Sequence, residues 1–165
     1  MKALFVIAPV DFRDEEYFVP KQILKEGGIE ITTVSTANTS TSKFGKQINV
    51  DLLLEKVDSN YDLVMFVGGN GARDYFNNST ALGLAKKFFE EGKFVTAICI
   101  GPAILAKAKI LNDKRATVWA SQDDREGVRI LDIAFLKKDD EYVLYAICSD
   151  KYLYKKKISN LQSYW

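Results

Sequence analysis

The stretch FVTAICIGPAILAKA, residues 94–108, puts a thiol where one kind of local structure gives way to another. A β-type apolar run ends at Cys99. Gly101 and Pro102 follow, and then alanine-rich sequence with helical spacing. A residue on such a sharp strand-to-helix turn is pushed out over the sheet edge, in the geometry of a nucleophile elbow. It also lies at a helix start, where free N–H groups and the helix dipole favour an anion and lower thiol pKa values. The plainer reading is a small buried core thiol, since free cysteine often packs inside. Cys148, in LYAICSD, sits in an apparent strand interior and takes that plainer reading.

Two further stretches follow strand ends. In VGGNGARDY, residues 67–75, Gly68 and Gly69 let the backbone come close to a reacting centre. The backbone N–H groups of Gly69 and Ile100 together would make an oxyanion hole. A plain glycine turn is the alternative. Dinucleotide binding does not fit, because Asp74 occupies the third glycine position of GxGxxG and the first strand lacks the motif. There is no P-loop lysine. In DFRDEEYFVP, residues 11–20, Asp14, Glu15 and Glu16 stand beside the first strand. Acids at a helix start are usually solvated dipole partners, yet one of them can turn inward to the thiol. Spacing does not choose among the three.

Composition narrows the chemistry further. The 165 residues contain no histidine, which removes the commonest general base and the commonest metal ligand. Two cysteines fall short of a zinc site and imply no disulfide framework, so a reducing cytoplasm is the default and no metal or cofactor is expected. The formal net charge of +1 gives no field for nucleic acid or an anionic membrane. Lys155-Lys156-Lys157 reads as a solvated basic run. The opening MKALFVIAPVDFRDEE is too short in its apolar part, and too quickly acidic, for a signal peptide. No run approaches the roughly 20 apolar residues of a membrane helix.

The elements that must position these groups alternate. Residues 2–8 read as a buried strand, 14–27 as a helix interrupted at Pro20 with Phe18, Val19, Ile23 and Leu24 on one side, and 29–35 as a second strand. Residues 36–47 suggest a surface excursion with a small hairpin, and 50–57 a short helix. Then come a strand at 62–67, a helix at 80–92 capped by Thr80, a strand at 93–99 and the post-elbow helix. Residues 115–120 read as a strand, 128–149 as a hairpin about 138–140, and 157–164 as a last helix. This order gives one α/β domain over 1–165 with a mostly parallel sheet, whose ligand sits at the strands' carboxyl ends.

Together the three stretches resemble the ThiJ/PfpI, or DJ-one, superfamily. F-x-D-x-E-x-x-x-P runs from Phe12 to Pro20, GG-x-G-A from Gly68 to Ala72, and A-I-C-x-G-P from Ala97 to Pro102, followed by AILAKAKILNDKRATVW. The resemblance implies a three-layer flavodoxin-like sandwich, usually as a homodimer or higher homo-oligomer. It implies that Cys99 is the elbow cysteine, that Glu16 hydrogen-bonds its thiol, and that Gly69 and Ile100 are backbone oxyanion donors. The departures are equally specific. The protease-like branch has histidine where Ile100 stands. The redox and glyoxalase-like branch often has one near Val118-Trp119. The T-S-R-G-P near the C-terminus is replaced by DKYLYKKKISNL.

Without an imidazole the thiol must rely on Glu16. If buried and neutral, that carboxyl donates a hydrogen bond and stabilises a thiolate; if charged, it repels one and raises the thiol pKa. Amide hydrolysis also needs a proton for the leaving amine, so a peptidase is disfavoured. The leading expectation is a glyoxalase- or deglycase-like enzyme acting on small reactive carbonyls, with Cys99 as nucleophile and Glu16 as acid and base. The alternative is a redox sensor or chaperone-like stress protein whose ligand is an oxidant. Cys99 is expected to react well below pH 8.

Overall fold

Ala3 to Ala8 are all fully buried, as an unbroken apolar run between two layers requires. The run forms β1 (Lys2–Val6) and the two residues beyond it. The computed structural model describes residues 1–58, 60–112, 114 and 116–119, and the backbone alone of 133–138, 141–147 and 153–158. After β1 come β2 (Val10–Phe12), α1 (Asp14–Glu26), β3 (Glu30–Ser35), β4 (Thr39–Ser42), β5 (Gln47–Asn49) and β6 (Leu52–Leu53). Then follow β7 (Leu63–Phe66), α2 (Ser79–Glu90), β8 (Phe94–Ala97) and α3 (Pro102–Lys107).

The central sheet has five strands in the order β6-β3-β1-β7-β8, and every pairing is parallel. From β1 the chain moves through α1 to β3 and β6. It then returns to the other side of β1 as β7 and continues to β8. Right-handed crossovers in opposite directions put α1 and α2 on opposite faces. α1 packs against β3, and α2 against β7 and β8. The result is the three-layer flavodoxin-like sandwich. Its reversal of direction beside β1 is the place where such folds form ligand crevices. The carboxyl ends of β1, β7 and β8 meet there.

Two small sheets flank the centre. β2 runs parallel to β4, which pairs antiparallel with β5, so the 36–47 excursion contains the expected hairpin. β9 (Ile133–Lys138), β10 (Glu141–Ile147) and β11 (Leu153–Ile158) form an antiparallel sheet, with Lys138 opposite Glu141 at the expected turn. No helix among the described residues is long and apolar enough to cross a membrane.

Several local readings differ. Asn78, not Thr80, caps α2, accepting from the Ala81 N–H at 3.0 Å; a side chain one place before the helix is where the free N–H groups point. Residues 52–56 form a two-residue edge strand and a 3-10 turn rather than a helix, because Val34 and Ser35 of β3 offer ladder partners. Residues 116–119 form no strand. Residues 157–158 belong to β11, and the rest of the expected last helix lies outside the described residues. On α1 the buried side is Tyr17 and Pro20, while Val19 and Ile23 are 50% and 47% exposed.

Tyr75 joins the glycine turn after β7 to the middle of the sheet. It is 1% exposed, and its hydroxyl donates to the Ile7 carbonyl at 2.8 Å, beside Ser35 Oγ at 3.4 Å. Burial raises its phenol pKa above 10.0, so it stays a donor. Tyr75→Phe leaves that buried carbonyl without this partner. The expected cost is about 1–3 kcal/mol, read as a lower urea midpoint at unchanged slope.

Candidate active site

The turn after β8 is built by short backbone bonds. Ile98 N–H donates to the Phe66 carbonyl at 3.2 Å, and Gly101 N–H returns to the Ile98 carbonyl at 2.8 Å. Cys99 stands between them with φ 59°, in the left-handed region that a non-glycine side chain rarely enters. Such a residue persists only when its surroundings hold it there. α3 begins three residues later, with Pro102 in its first turn. The elbow expected from the sequence is therefore present.

Cys99 Sγ meets three groups. The backbone N–H groups of Gly69 and Ile100 donate toward it, and the Glu16 carboxyl shares a hydrogen bond with it. These come from three different strand ends, and they are the residues singled out in the sequence. The structure also sorts the three neighbouring acids. Asp14 is held by the hairpin, accepting from Ser42 Oγ at 2.6 Å and Phe44 N–H at 3.2 Å. Glu15 is exposed and pairs with Arg13 Nε at 2.9 Å. Glu16, one step further round the helix, turns to the thiol.

Gly68 and Gly69 are required by space. A Cβ on Gly68 would fall on the Glu16 carboxylate and lie 2.7 Å from Cys99 Cβ. Gly69 has φ 94°, and a Cβ there would be 2.5 Å from Arg13 N and from the Asp11 carbonyl. Arg13 N–H also donates to the Gly68 carbonyl at 3.1 Å, which ties the two loops together. Neither the Arg13–Gly68 bond nor the left-handed φ of 58° at Asp11 has a signature in the sequence.

The electrostatics depart from the expected easily ionised thiol. The Cys99 pKa is raised from 9.0 to about 12, first by burial, then by the negative charge of Glu16. The N–H groups of Gly69 and Ile100 pull it down, but by less. The helix dipole cannot reverse the balance. α3 has only six residues, and even a partly buried helix terminus contributes at most about 2 kcal/mol, roughly 1.5 pKa units, less than the rise from 9.0 to about 12. The resting form is the thiol, and the charge on Glu16 works against its ionisation.

Ile100 contributes its N–H, while its side chain is 4% exposed. The histidine position of the protease-like pattern is thus filled by packed hydrocarbon. The Val118-Trp119 position, where the redox and glyoxalase-like pattern often has histidine, lies beside the elbow. Trp119 N–H donates to the Cys99 carbonyl at 2.8 Å, so residues 116–119 run alongside the elbow. Cys148 lies outside the described residues. Among the described residues no group of three His, Cys, Asp or Glu side chains is placed to hold a metal ion.

The raised thiol pKa makes stability depend on pH in a fixed direction. Below pH 9.0 the thiol is protonated in both folded and unfolded chains. Between 9.0 and about 12 the unfolded thiol ionises first, so the folded state binds more protons and loses stability as pH rises. The stability difference between wild type and Cys99→Ser should fall across that window. Urea denaturation at pH 8 and pH 10.5 measures it, with other titrating groups cancelling.

Comparisons with known proteins agree with this architecture. The family model described as the DJ-1/PfpI family matches residues 1–150. An uncharacterized protein of Methanocaldococcus jannaschii is 37% identical over 131 residues, covering 78% of this chain and 64% of that protein, so the match spans less than two thirds of the relative. A protein of Pyrococcus horikoshii named a deglycase is 34% identical over 166 residues, covering 98% of this chain and 99% of its own. The crystal structure of a ThiJ/PfpI domain protein from Brachyspira murdochii superposes with a TM-score of 0.73 at 34% identity, covering 82% of each chain.

Proposed function

The chain belongs to the DJ-1/PfpI family, and from that premise we propose that it is a cysteine-dependent enzyme acting on small reactive carbonyls, as a glyoxalase or deglycase does. Cys99 is the nucleophile and Glu16 the acid and base. The observation that carries this reading is the convergence of Glu16 and two backbone N–H groups on the elbow sulfur. The similarity to a protein named a deglycase supports the substrate class.

The chemistry fits a thiol that rests protonated. Sγ attacks the aldehyde carbon of an α-oxoaldehyde while its proton passes to the Glu16 carboxylate. The carbonyl oxygen takes the electron pair and receives that proton from Glu16, which is left as a carboxylate, and a hemithioacetal results. The Gly69 and Ile100 N–H groups are the proposed donors to that oxygen. Glu16 then removes the proton from the former aldehyde carbon, and a proton is returned to the adjacent carbon, which gives a thioester of a 2-hydroxy acid. Water cleaves the thioester and restores the thiol. The net change is addition of one water, with no external oxidant. Deglycation is the same sequence begun from the aldehyde's adduct with an amine, which leaves as the sulfur bonds.

Peptide hydrolysis is a poorer match: an amide carbonyl is far less electrophilic than an aldehyde or its amine adduct, and the 165 residues offer no imidazole to assist both attack and amine departure. Oxidation is the second reading. The same two N–H groups would hold a sulfinate oxygen, formed from the thiol by two equivalents of peroxide with release of two waters. The proposal includes a cytoplasmic setting and a homodimer or higher homo-oligomer. Val19 and Ile23, exposed one turn apart on α1, are apolar surface that a second copy would cover.

Product analysis with methylglyoxal tests the reading. Wild type should form lactate, and Cys99→Ser should lose at least about 100-fold, in line with loss of a nucleophile-and-base pair. Glu16→Gln should also lose turnover, although its thiol ionises more easily. Absence of lactate from wild type, or undiminished lactate from Cys99→Ser, overturns the reading. Two added oxygens on Cys99 after peroxide, without lactate, would favour the sensor.

A further inference from the structure

Trp119 is joined through its backbone to the residue that carries the reactive sulfur. Its backbone N–H is anchored on the carbonyl of Cys99 itself at 2.8 Å. Its Cα therefore lies about 4 Å from that oxygen. Two residues earlier in the same segment, Thr117 is 4% exposed, while Trp119 remains 50% exposed. A large aromatic side chain on a backbone anchored at the elbow, and left half in water, offers a flat apolar face and an indole N–H to an incoming molecule. The reaction proposed above uses Cys99, Glu16, Gly69 and Ile100, and gives this side chain no task.

We propose that Trp119 is a specificity-determining wall beside Cys99, favouring electrophiles that carry an aromatic or flat apolar group over small alkyl ones. Aromatic pairing of this kind corresponds to a preference of about 2- to 12-fold. For carbonyl substrates the inference rests on the enzymatic reading, and the preferred class is aryl α-oxoaldehydes. For thiol alkylation it does not depend on that reading.

The test uses the full chain with Cys148→Ser, so that only Cys99 reacts. Alkylation rates with N-benzyliodoacetamide and with iodoacetamide are measured, and their ratio is compared with the same ratio for glutathione. The expected ratio is about 2- to 12-fold above glutathione in the parent protein. Trp119→Phe should keep most of it, and Trp119→Leu should bring it to the glutathione value. All three proteins retain the backbone N–H that anchors the segment. The kcat/KM ratio for phenylglyoxal against methylglyoxal should follow the same order. A parent ratio equal to that of glutathione, or a preference that survives Trp119→Leu, overturns the wall. A benzyl preference lost in Trp119→Leu, without turnover of either aldehyde, supports the wall and overturns the carbonyl reading. Lactate formation without a benzyl preference does the reverse.

Discussion

The Glu16 carboxylate and the Cys99 thiol share one space, and the charge of the carboxylate adds to burial in opposing ionisation of the sulfur. Burial takes the thiol out of water, and the neighbouring negative charge raises the cost of ionising it further. One proton therefore decides which of two sites the protein has: a carboxylate beside an inert thiol, or a neutral carboxyl beside a nucleophilic sulfur. The raised thiol pKa is this constraint seen from the sulfur's side. Without histidine no third group of ordinary basicity is available to relieve it. The pair suits a reaction in which sulfur gives up its proton only as a new bond forms.

The rest of the molecule serves to hold the two side chains together. The parallel sheet delivers the ends of β1, β7 and β8 to one place. The hairpin occupies Asp14, which sets the rotation of the first turn of α1 and leaves Glu16 facing inward. Gly68 and Gly69 carry no side chains because the carboxylate, the elbow and the 11–13 loop already fill the volume. Tyr75 fixes the start of the crevice by bonding the Ile7 carbonyl.

Much of this was legible in the sequence. The unbroken apolar run at 3–8, the Cys99-Ile100-Gly101-Pro102 turn and the alternation of elements specify a parallel α/β sheet and its elbow. The resemblance selected Glu16, which spacing had left open among three acids. What escaped depends on distant partners. The resemblance pointed to Val118-Trp119, but no local signal shows that the Trp119 N–H binds the carbonyl of an elbow 20 residues earlier. Nothing near Val19 and Ile23 shows that the helix turns them outward, since Tyr17 supplies the buried bulk by packing on Phe5 and Phe12. The thiol pKa was misjudged because the local motif shows a helix start, whereas burial and the Glu16 charge come from the assembled fold.

The most direct test is the rate of Cys99 alkylation against pH, with mass spectrometry to assign the cysteine, in wild type and in Glu16→Gln. The substitution keeps shape and a hydrogen-bond donor but removes the charge. A midpoint well above 9.0 in wild type, moving down by about one pH unit or more in Glu16→Gln, is the predicted result. Identical midpoints in the two proteins, or a wild-type midpoint at or below 9.0, would contradict the account.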